Sequence, residues 1–252
     1  MIALIDGDIL CYRIGFATNE ESEDIAIRTM AKFLEDMLMF DLDCSEWRTY
    51  LTGKTNYRND YAVTAPYKGN RKGEKPIHHG LLRNYLQYSW NGDVYEGIEA
   101  DDAIAIDATE FGDNSIIVSL DKDFDQVQGW HYNFVKKDKY YITHEEGLLN
   151  FYCQFLVGDR IDNIIGVQGI GPVKARKLLE GKTEQEMFDI CCEKLGSLDR
   201  AIENGILLYL QRKTGELWSP PSEDTISESE GQETTAVDSR TDPTDLSTSG
   251  AG

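Results

Sequence analysis

Four acidic clusters are the residues best suited to chemistry in this sequence. They are Asp6 and Asp8 in DGD, Glu99, Asp101 and Asp102 in EADD, Asp121, Asp123 and Asp125 in DKDFD, and Asp159 and Asp162 in GDRID. Carboxylate oxygens select hard cations, Mg²⁺ or Mn²⁺, and crowded carboxylates repel one another unless cations neutralise them. Two such ions about 4 Å apart would activate a water and stabilise the leaving oxygen in phosphodiester cleavage.

Each cluster also has an ordinary structural interpretation. Asp-Gly is a common turn, and acids at a helix start are routine caps and partners of the helix dipole. The metal interpretation therefore depends on whether the clusters converge in the fold.

A basic loop, PYKGNRKGEKP, spans residues 66–76 and holds Tyr67, Lys68, Arg71, Lys72 and Lys75. Positive charge with an aromatic at its edge suits a nucleic-acid backbone, with one base stacked on the tyrosine. A solvated charged loop is the alternative interpretation.

A second phosphate-binding candidate is GVQGIGPVKARKLL, residues 166–179. Gly169 and Gly171 precede Pro172 at a predicted helix start, where backbone N–H groups and the helix dipole favour a phosphate. Lys174 follows on that helix. The segment resembles a helix-hairpin-helix motif, which binds duplex backbone without reading sequence; an ordinary tight turn between packed helices is the alternative.

The elements that must position these residues alternate between strand-like and helix-like patterns. Strands are predicted at 2–5, 47–52, 115–120, 131–135 and 140–143, and helices at 24–40, 77–90, 101–111, 145–157, 173–179, 184–195 and 199–213. This order predicts an α/β fold with a mostly parallel central sheet covered on both faces. Ligands of such sheets bind at the carboxyl ends of the strands, where Asp6 and Asp121 stand.

Charge and composition bound the function further. The formal net charge is −20 over 252 residues, but the segment from Ser219 onward holds eight acidic residues against one arginine, a net charge of −7. The remaining −13 does not exclude a local basic surface. The Ser/Thr-rich acidic tail lacks large apolar residues and is expected to be disordered. Five cysteines with no C-x-x-C pair indicate reduced thiols, and no apolar run approaches a membrane span.

Five motifs together resemble the 5′-nuclease family, which comprises flap endonucleases, the 5′-nuclease domain of bacterial DNA polymerase I and bacteriophage 5′→3′ exonucleases. LIDGDIL, PYKGNRK, IEADDAIA, SLDKDFDQV and GDRIDNIIGVQGIGPVKARKLL occur in the family's order from Met1 to about Lys213. The short segment between PYKGNRK and EADD is most similar to the phage members. The resemblance implies a PIN-like nuclease domain at 1–158, a helix-hairpin-helix (helix-three-turn-helix) module at 159–218 and a tail at 219–252.

The resemblance also implies roles for single residues. Metal ligands would be Asp6, Glu99, Asp101, Asp102, Asp121, Asp123, Asp159 and Asp162. Lys68 and Arg71 would polarise the scissile phosphate, Tyr67 would stack on a base, and Lys72, Gly169, Gly171 and Lys174 would contact DNA. The expected cofactors are two Mg²⁺ or Mn²⁺ ions, with K⁺ at the helix-hairpin-helix loop. Asp125 has no family role and is interpreted as structural.

One position departs from the family pattern. An aspartate is expected after the second strand, where this chain has Thr52 and Gly53. Either Asp8 compensates for it, or one metal site is weakened.

The leading hypothesis is a metal-dependent 5′→3′ exonuclease and flap endonuclease that acts on DNA, and on RNA–DNA hybrids, in a bacterial or phage-infected cytoplasm. It releases products with 5′-phosphates and serves phage-type DNA replication, repair or recombination. The alternatives are a structure-specific DNA-binding protein with weakened catalysis and a PIN-type ribonuclease. The sequence identifies no protein partner.

Overall fold

A six-stranded sheet forms the centre of the computed structural model, which describes residues 1–221. Its spatial order is β3-β2-β1-β4-β5-β6. The strands are β1 (Ile2–Asp6), β2 (Glu46–Asn56), β3 (Gly92–Gly97), β4 (Ser115–Val118), β5 (Gly129–Asn133) and β6 (Asp138–Ile142). Neighbouring strands pair in parallel except β6, which runs antiparallel to β5. The predicted α/β class with a mostly parallel sheet is confirmed.

Helices pack on both faces of this sheet and also form a separate group that follows it in the chain. They are α1 (Gly7–Ala17), α2 (Glu23–Asp36), α3 (Arg58–Tyr61), α4 (His79–Ser89), α5 (Ala100–Phe111), α6 (His144–Val157), α7 (Pro172–Leu179), α8 (Glu184–Leu195) and α9 (Leu198–Leu208). Alternate residues of β1 enter different cores, because successive side chains of a strand point to opposite faces. Ala3 and Ile5 pack with α1, α2 and α4, whereas Leu4 packs with α5. No helix in residues 1–221 is long and apolar enough to span a bilayer.

Helix α1 was missed by the sequence prediction, in which Asp6-Gly7-Asp8 resembles a turn. The helix begins directly at the end of β1, with Asp6 as its N-cap accepting a hydrogen bond from the Ile9 amide. Gly7 makes this possible, because a Cβ at that position would lie 2.8 Å from the Tyr50 carbonyl oxygen. The first turn of α1 therefore packs closely on β2.

Other elements also differ from the prediction, among them α3, which was not predicted. Strand β3 has an exposed and polar sequence, GDVYEG, with no apolar alternation to indicate it. Helix α9 ends at Leu208 and not at Lys213, where Gln126 donates to the Leu208 carbonyl and Arg58 donates to the Tyr209 carbonyl.

A separate aromatic core joins the helices after the sheet. Phe151, Tyr152 and Phe155 of α6 pack with side chains of α7, α8 and α9, and with Trp218. Residues Met1–Pro220 form one compact unit, and the division at residue 158 stays a prediction. The acidic tail lies outside the described residues from 222 onward.

Candidate metal and phosphate site

A group of carboxylates stands where β1 and β4 end and α5 begins. We call Asp6, Glu99, Asp101, Asp121 and Asp123 the rim cluster. Asp6 ends β1, Glu99 is the N-cap of α5, and Asp121 caps the short 3₁₀-helix Lys122–Gln126 that follows β4. Because β1 and β4 are adjacent parallel strands, their carboxyl ends bring these acids to one edge of the sheet. The predicted convergence of the acidic motifs is therefore seen in the fold.

Asp6 is the most enclosed strand-end member of the rim cluster, with 4% of its surface exposed. The Ser119 hydroxyl donates to Asp6 Oδ2 at 2.7 Å, and the Ile9 amide donates to Oδ1 at 3.1 Å. Burial raises the pKa of Asp6 to about 7, and the charges of Asp8 and Asp121 add to this against the two hydrogen bonds. Two donors therefore hold the carboxylate in place, and no basic side chain within residues 1–221 forms an ion pair with it.

The other rim carboxylates repel one another in the same way. Burial, with the charges of Asp6, Glu99 and Asp121, raises the pKa of Asp101 well above its usual range. Burial also raises the pKa of Asp121. Burial and the neighbouring charges of Asp121 and Asp159 raise the pKa of Asp123 to about 7. An arrangement that disfavours its own charge this strongly is one that a divalent cation would stabilise.

Glu99 and Asp162, in contrast, face the basic loop directly. The Lys68 ammonium forms an ion pair with Glu99 Oε1 and lies 3.6 Å from Asp162 Oδ2. Arg71 Nη2 lies 2.6 Å from Asp162 Oδ1. On the same side, Lys122 Nζ lies 3.2 Å from Asp159 Oδ2. The predicted acids and bases are thus in mutual contact, although far apart in sequence.

Tyr67 does not fit the predicted base-stacking role. Only 8% of its surface is exposed, and its ring belongs to the aromatic core around α6. Its hydroxyl donates to Glu99 Oε2 at 2.9 Å and contacts Asp162 Oδ2 at 2.8 Å, while the Lys68 ammonium lies 5.0 Å from the ring centroid. This placement leaves no open ring face for a base and corrects the expectation. Tyr67 instead aligns two carboxylates.

Asp102 is also placed differently from its predicted role as a metal ligand. It is fully buried and receives two hydrogen bonds from the Arg58 guanidinium, at 2.6 and 2.8 Å. The amides of Glu99 and Gln211 donate to the same carboxylate at 3.0 and 3.2 Å. Both oxygens are engaged by these donors, so Asp102 is a structural residue under the rim. We call Arg58 and Asp102, with the backbone that they hold, the Arg58 clamp.

The missing aspartate can be assigned to one position by packing. A Cβ on Gly53 would lie 2.5 Å from the Tyr95 carbonyl oxygen and 2.5 Å from Glu96 Cδ. A side chain at position 53 would force its neighbours to shift, so Thr52 is the position that better accommodates a side chain where the family's acid is expected. Asp8 does not replace it as a free carboxylate, because Asp8 pairs with Arg83.

The second phosphate-binding candidate has the local geometry that its sequence predicts. Gly169 has a positive φ of 79°, Gly171 is the N-cap of α7, and Pro172 is the first helical residue. Gly169, Gly171 and Lys174 are exposed, as is Lys72 of the basic loop. Lys174 Nζ donates to the Gly169 carbonyl at 3.3 Å. The loop amides at the start of α7 are therefore accessible to an anion.

The donor set fits a hydrated divalent cation. Within residues 1–221, no three Asp, Glu, His or Cys side chains already converge tightly enough to form a closed metal cage. Mg²⁺ does not need such a cage, since it keeps several waters and binds through one or two carboxylates and substrate phosphates. The rim cluster is an open, oxygen-only group of carboxylates that meets that requirement.

Sequence reasoning missed three residues that shape the site. Ser119 orients Asp6, Arg58 removes Asp102 from the rim, and Arg83 neutralises Asp8. Ser119 follows β4 directly, and its position before Asp121 was the one available signal. Arg58 and Arg83 lie 44 and 75 residues from their partners, and no local spacing indicates those contacts.

Comparisons with known proteins agree with this geometry. The chain is 30% identical to flap endonuclease Xni of Shewanella sediminis over 210 residues, which is 70% of this chain and 74% of that protein. It is 29% identical over 206 residues to DNA polymerase I of Bacillus caldotenax, covering 71% of this chain but only 23% of the polymerase's length. No family model matches the sequence.

Solved structures show the same fold. The T5 D15 protein co-crystallised with metal ions superposes with a TM-score of 0.66, at 18% identity, over 83% of this chain and 89% of that one. The catalytic core of Rad2 in complex with a DNA substrate gives a TM-score of 0.50 at 13% identity, over 89% of this chain and 84% of that one. These likenesses confirm the predicted PIN-like architecture.

Proposed function

Because this chain belongs to the 5′-nuclease family that includes flap endonuclease Xni, we propose that it is a divalent-metal-dependent 5′→3′ exonuclease and flap endonuclease acting on DNA. RNA–DNA hybrids are a further substrate class. The observation that carries the proposal is the direct contact of the basic loop with the carboxylate edge, through Lys68 on Glu99 and Arg71 on Asp162. A phosphate placed between these groups meets cations on one side and metal ligands on the other.

The residues that would hold Mg²⁺ or Mn²⁺, in one or two sites, are the rim cluster with Asp159 and Asp162. A bound ion supplies an activated water and charge neutralisation at the phosphate. Asp102 is left out of this set because the Arg58 clamp engages both its oxygens. Asp6 enters the set already oriented by Ser119, which reduces the rearrangement that binding requires.

Lys68 and Arg71 bind and polarise the scissile phosphate. Both cations pair with carboxylates in this structure, and a phosphate offers Arg71 a bidentate acceptor in place of its single hydrogen bond to Asp162. Tyr67 keeps Glu99 and Asp162 aligned from below. Water attacks the phosphorus, the 3′-oxygen of the preceding nucleotide leaves, and the product carries a 5′-phosphate. No covalent enzyme intermediate forms.

The duplex part of the substrate is held away from the cut. The exposed turn with Gly169 and Gly171, aided by Lys174, grips the phosphate backbone together with K⁺. Lys72, in the basic loop, adds positive charge for the same DNA backbone. These contacts carry no base identity, so recognition is of DNA structure. The nuclease acts in a bacterial or phage-infected cytoplasm, in phage-type replication, repair or recombination.

The test is cleavage of labelled 5′-flap and nicked-duplex DNA in Mg²⁺ by the wild type and by the double variant Asp121→Asn/Asp123→Asn. We expect the double variant to lose about a thousandfold in rate, because metal neutralisation contributes several kcal/mol at the transition state. EDTA should abolish wild-type cleavage. Activity that survives both treatments would contradict the mechanism.

The matched control is Asp125→Asn, in the same DKDFD segment. Asp125 accepts a hydrogen bond from the Tyr140 hydroxyl at 2.8 Å and takes no part in the rim cluster. It should leave cleavage unchanged. An equal loss in this variant would attribute the effect to disruption of the segment and not to metal ligation.

A second candidate function is structure-specific DNA binding with weakened catalysis. Thr52 favours it, because the expected carboxylate is absent. Tight binding of a 5′-flap with no turnover in either Mg²⁺ or Mn²⁺ would select this function. Single-stranded RNA, included as a third substrate, separates both from a PIN-type ribonuclease.

A further inference from the structure

Thr52 lies in β2 and forms hydrogen bonds with residues of three helices. Its amide donates to Asp8 Oδ2 of α1 at 2.8 Å, and its carbonyl accepts from Arg83 Nη2 of α4 at 2.7 Å. Its hydroxyl accepts from the Ala100 amide at 2.9 Å. All three polar groups of this residue are therefore in use, each toward a different helix.

Asp8 and Arg83 complete the arrangement. Arg83 Nη1 forms an ion pair with Asp8 Oδ1, while the other Asp8 oxygen receives the Thr52 amide. The two side chains are only 26% and 23% exposed. Arg83 thus balances a carboxylate that stands two residues from Asp6 and secures the backbone of Thr52. We call Asp8, Thr52 and Arg83 the Arg83 bracket.

The bracket reaches the rim cluster through one backbone amide. Ala100 is the first residue of α5 and lies between Glu99 and Asp101. The first N–H groups of a helix have no partner inside the helix, and the Thr52 hydroxyl supplies one here. The position of Thr52 therefore fixes the peptide that carries both rim carboxylates of α5.

We propose that Arg83 is a positioning residue for the rim cluster. Through Asp8 and Thr52 it fixes the start of α5 against β1, and so sets the separation of Asp101 and Asp6 on which cation affinity depends. The inference rests on the proposed function, since it concerns the same cation site. Mutating a group that orients metal ligands costs about 10- to 100-fold in metal affinity. We expect an effect of this size from the bracket, although it touches neither the cation nor the DNA.

The experiment measures Mn²⁺ binding to the full-length protein by electron paramagnetic resonance, with no DNA present. Arg83→Met should weaken Mn²⁺ binding about 10- to 100-fold. Thr52→Val, which removes only the hydroxyl acceptor, should weaken it in the same direction. The double variant should bind about as weakly as the weaker single one, because both changes break one linkage. Arg83→Lys keeps the charge opposite Asp8 and should restore part of the affinity.

The chain offers a matched control in Arg48→Met. Arg48 Nη1 lies 2.7 Å from Asp107 Oδ2, so this pair also ties β2 to α5, but away from the start of the helix. Its loss should leave Mn²⁺ binding within about twofold. Equal weakening by Arg48→Met and Arg83→Met would overturn the proposal, because any β2–α5 tie would then serve.

Unchanged Mn²⁺ affinity in both Arg83→Met and Thr52→Val would also overturn it. If Arg83→Met does not fold, Thr52→Val carries the test by itself, since it keeps the ion pair intact. Failure of the proposed function is a different result: wild-type protein that neither binds Mn²⁺ nor cleaves flap DNA. A wild type that does both, with the bracket variants unchanged, refutes only the role of Arg83.

Discussion

The Arg58 clamp and the rim cluster meet at the start of α5, and they give neighbouring carboxylates opposite environments. Asp102, in the Arg58 clamp, receives two guanidinium hydrogen bonds and two backbone amides. Asp101, the preceding residue, belongs to the rim cluster, where burial and like charges raise its pKa well above the usual range. One residue step rotates a side chain by about 100° around a helix, and here that step separates a satisfied charge from an unsatisfied one.

Adjacent acids of the EADD motif therefore have different roles. The clamp uses a carboxylate to connect distant backbone, because Arg58 also donates to the carbonyls of Leu207 and Tyr209. Asp101 has no guanidinium partner of this kind, which disfavours its charge in the folded protein but leaves its oxygens open to a cation. A ligand and a structural acid can therefore be adjacent in sequence and still be distinguished by their hydrogen bonds.

The largest effect is expected for Asp102→Asn. Removal of one partner from a buried ion pair leaves an uncompensated charge, which costs about 3–5 kcal/mol. The free energy of unfolding, from urea denaturation, should fall by that amount. In Asp101→Asn it should stay level or rise, because the change removes an unfavourable charge. Equal destabilisation of the two variants would break the distinction between clamp and rim.

Metal removal gives the next largest effect. A cation at one hundred times its Kd stabilises the folded protein by about 2.7 kcal/mol, so Mg²⁺ should raise the Tm of the wild type and EDTA should reverse the rise. The shift should vanish in Asp101→Asn. Persistence of the full shift in that variant would place the bound ion outside the rim cluster.

The convergence of the rim carboxylates was predictable from sequence and the Arg58 clamp was not, for a physical reason. Asp6 and Asp121 follow buried apolar strands, and parallel strands bring their carboxyl ends to one edge, so convergence follows from local patterns. The clamp depends on Arg58 meeting Leu207 across 149 residues of chain. Nothing in the spacing of EADD separates Asp101 from Asp102.

The same limit explains the errors in the fold. Helix α1 depends on Gly7 approaching the Tyr50 carbonyl, and the end of α9 depends on the clamp that captures the Tyr209 carbonyl. Both are tertiary contacts that override local preference.

Tyr67 was assigned to base stacking from its basic neighbours, whereas the aromatic core around α6 encloses its ring.

A smaller effect is expected from Lys122→Met, which removes the lysine that pairs with Asp159. Lys122 Nζ lies 3.2 Å from Asp159 Oδ2 but its side chain is 62% exposed, so the pair is worth at most about 1 kcal/mol. Its removal should increase Mn²⁺ affinity by up to about fivefold. Lys32→Met, which breaks an exposed pair with Asp36, is the matched control and should change nothing. A loss of affinity in Lys122→Met would show that this lysine supports the cation site.

The smallest effect on Mn²⁺ affinity is expected for Asp125→Asn, in the acid of DKDFD that lies outside the rim cluster. Its Oδ1 accepts the Tyr140 hydroxyl at 2.8 Å, and a neutral amide oxygen is a weaker acceptor, so unfolding should become easier by about 0.5–1.5 kcal/mol. Tyr140→Phe removes the same bond from the other side, and the double variant should be less destabilised than the sum of the singles. Mn²⁺ affinity should not change in any of the three, because this bond connects the 3₁₀-helix to β6 and not to the rim. A change in affinity would mean that the hydrogen bond between Asp125 and Tyr140 helps to position Asp121 and Asp123. Asp125 would then support the metal ligands and could not be treated as separate from them.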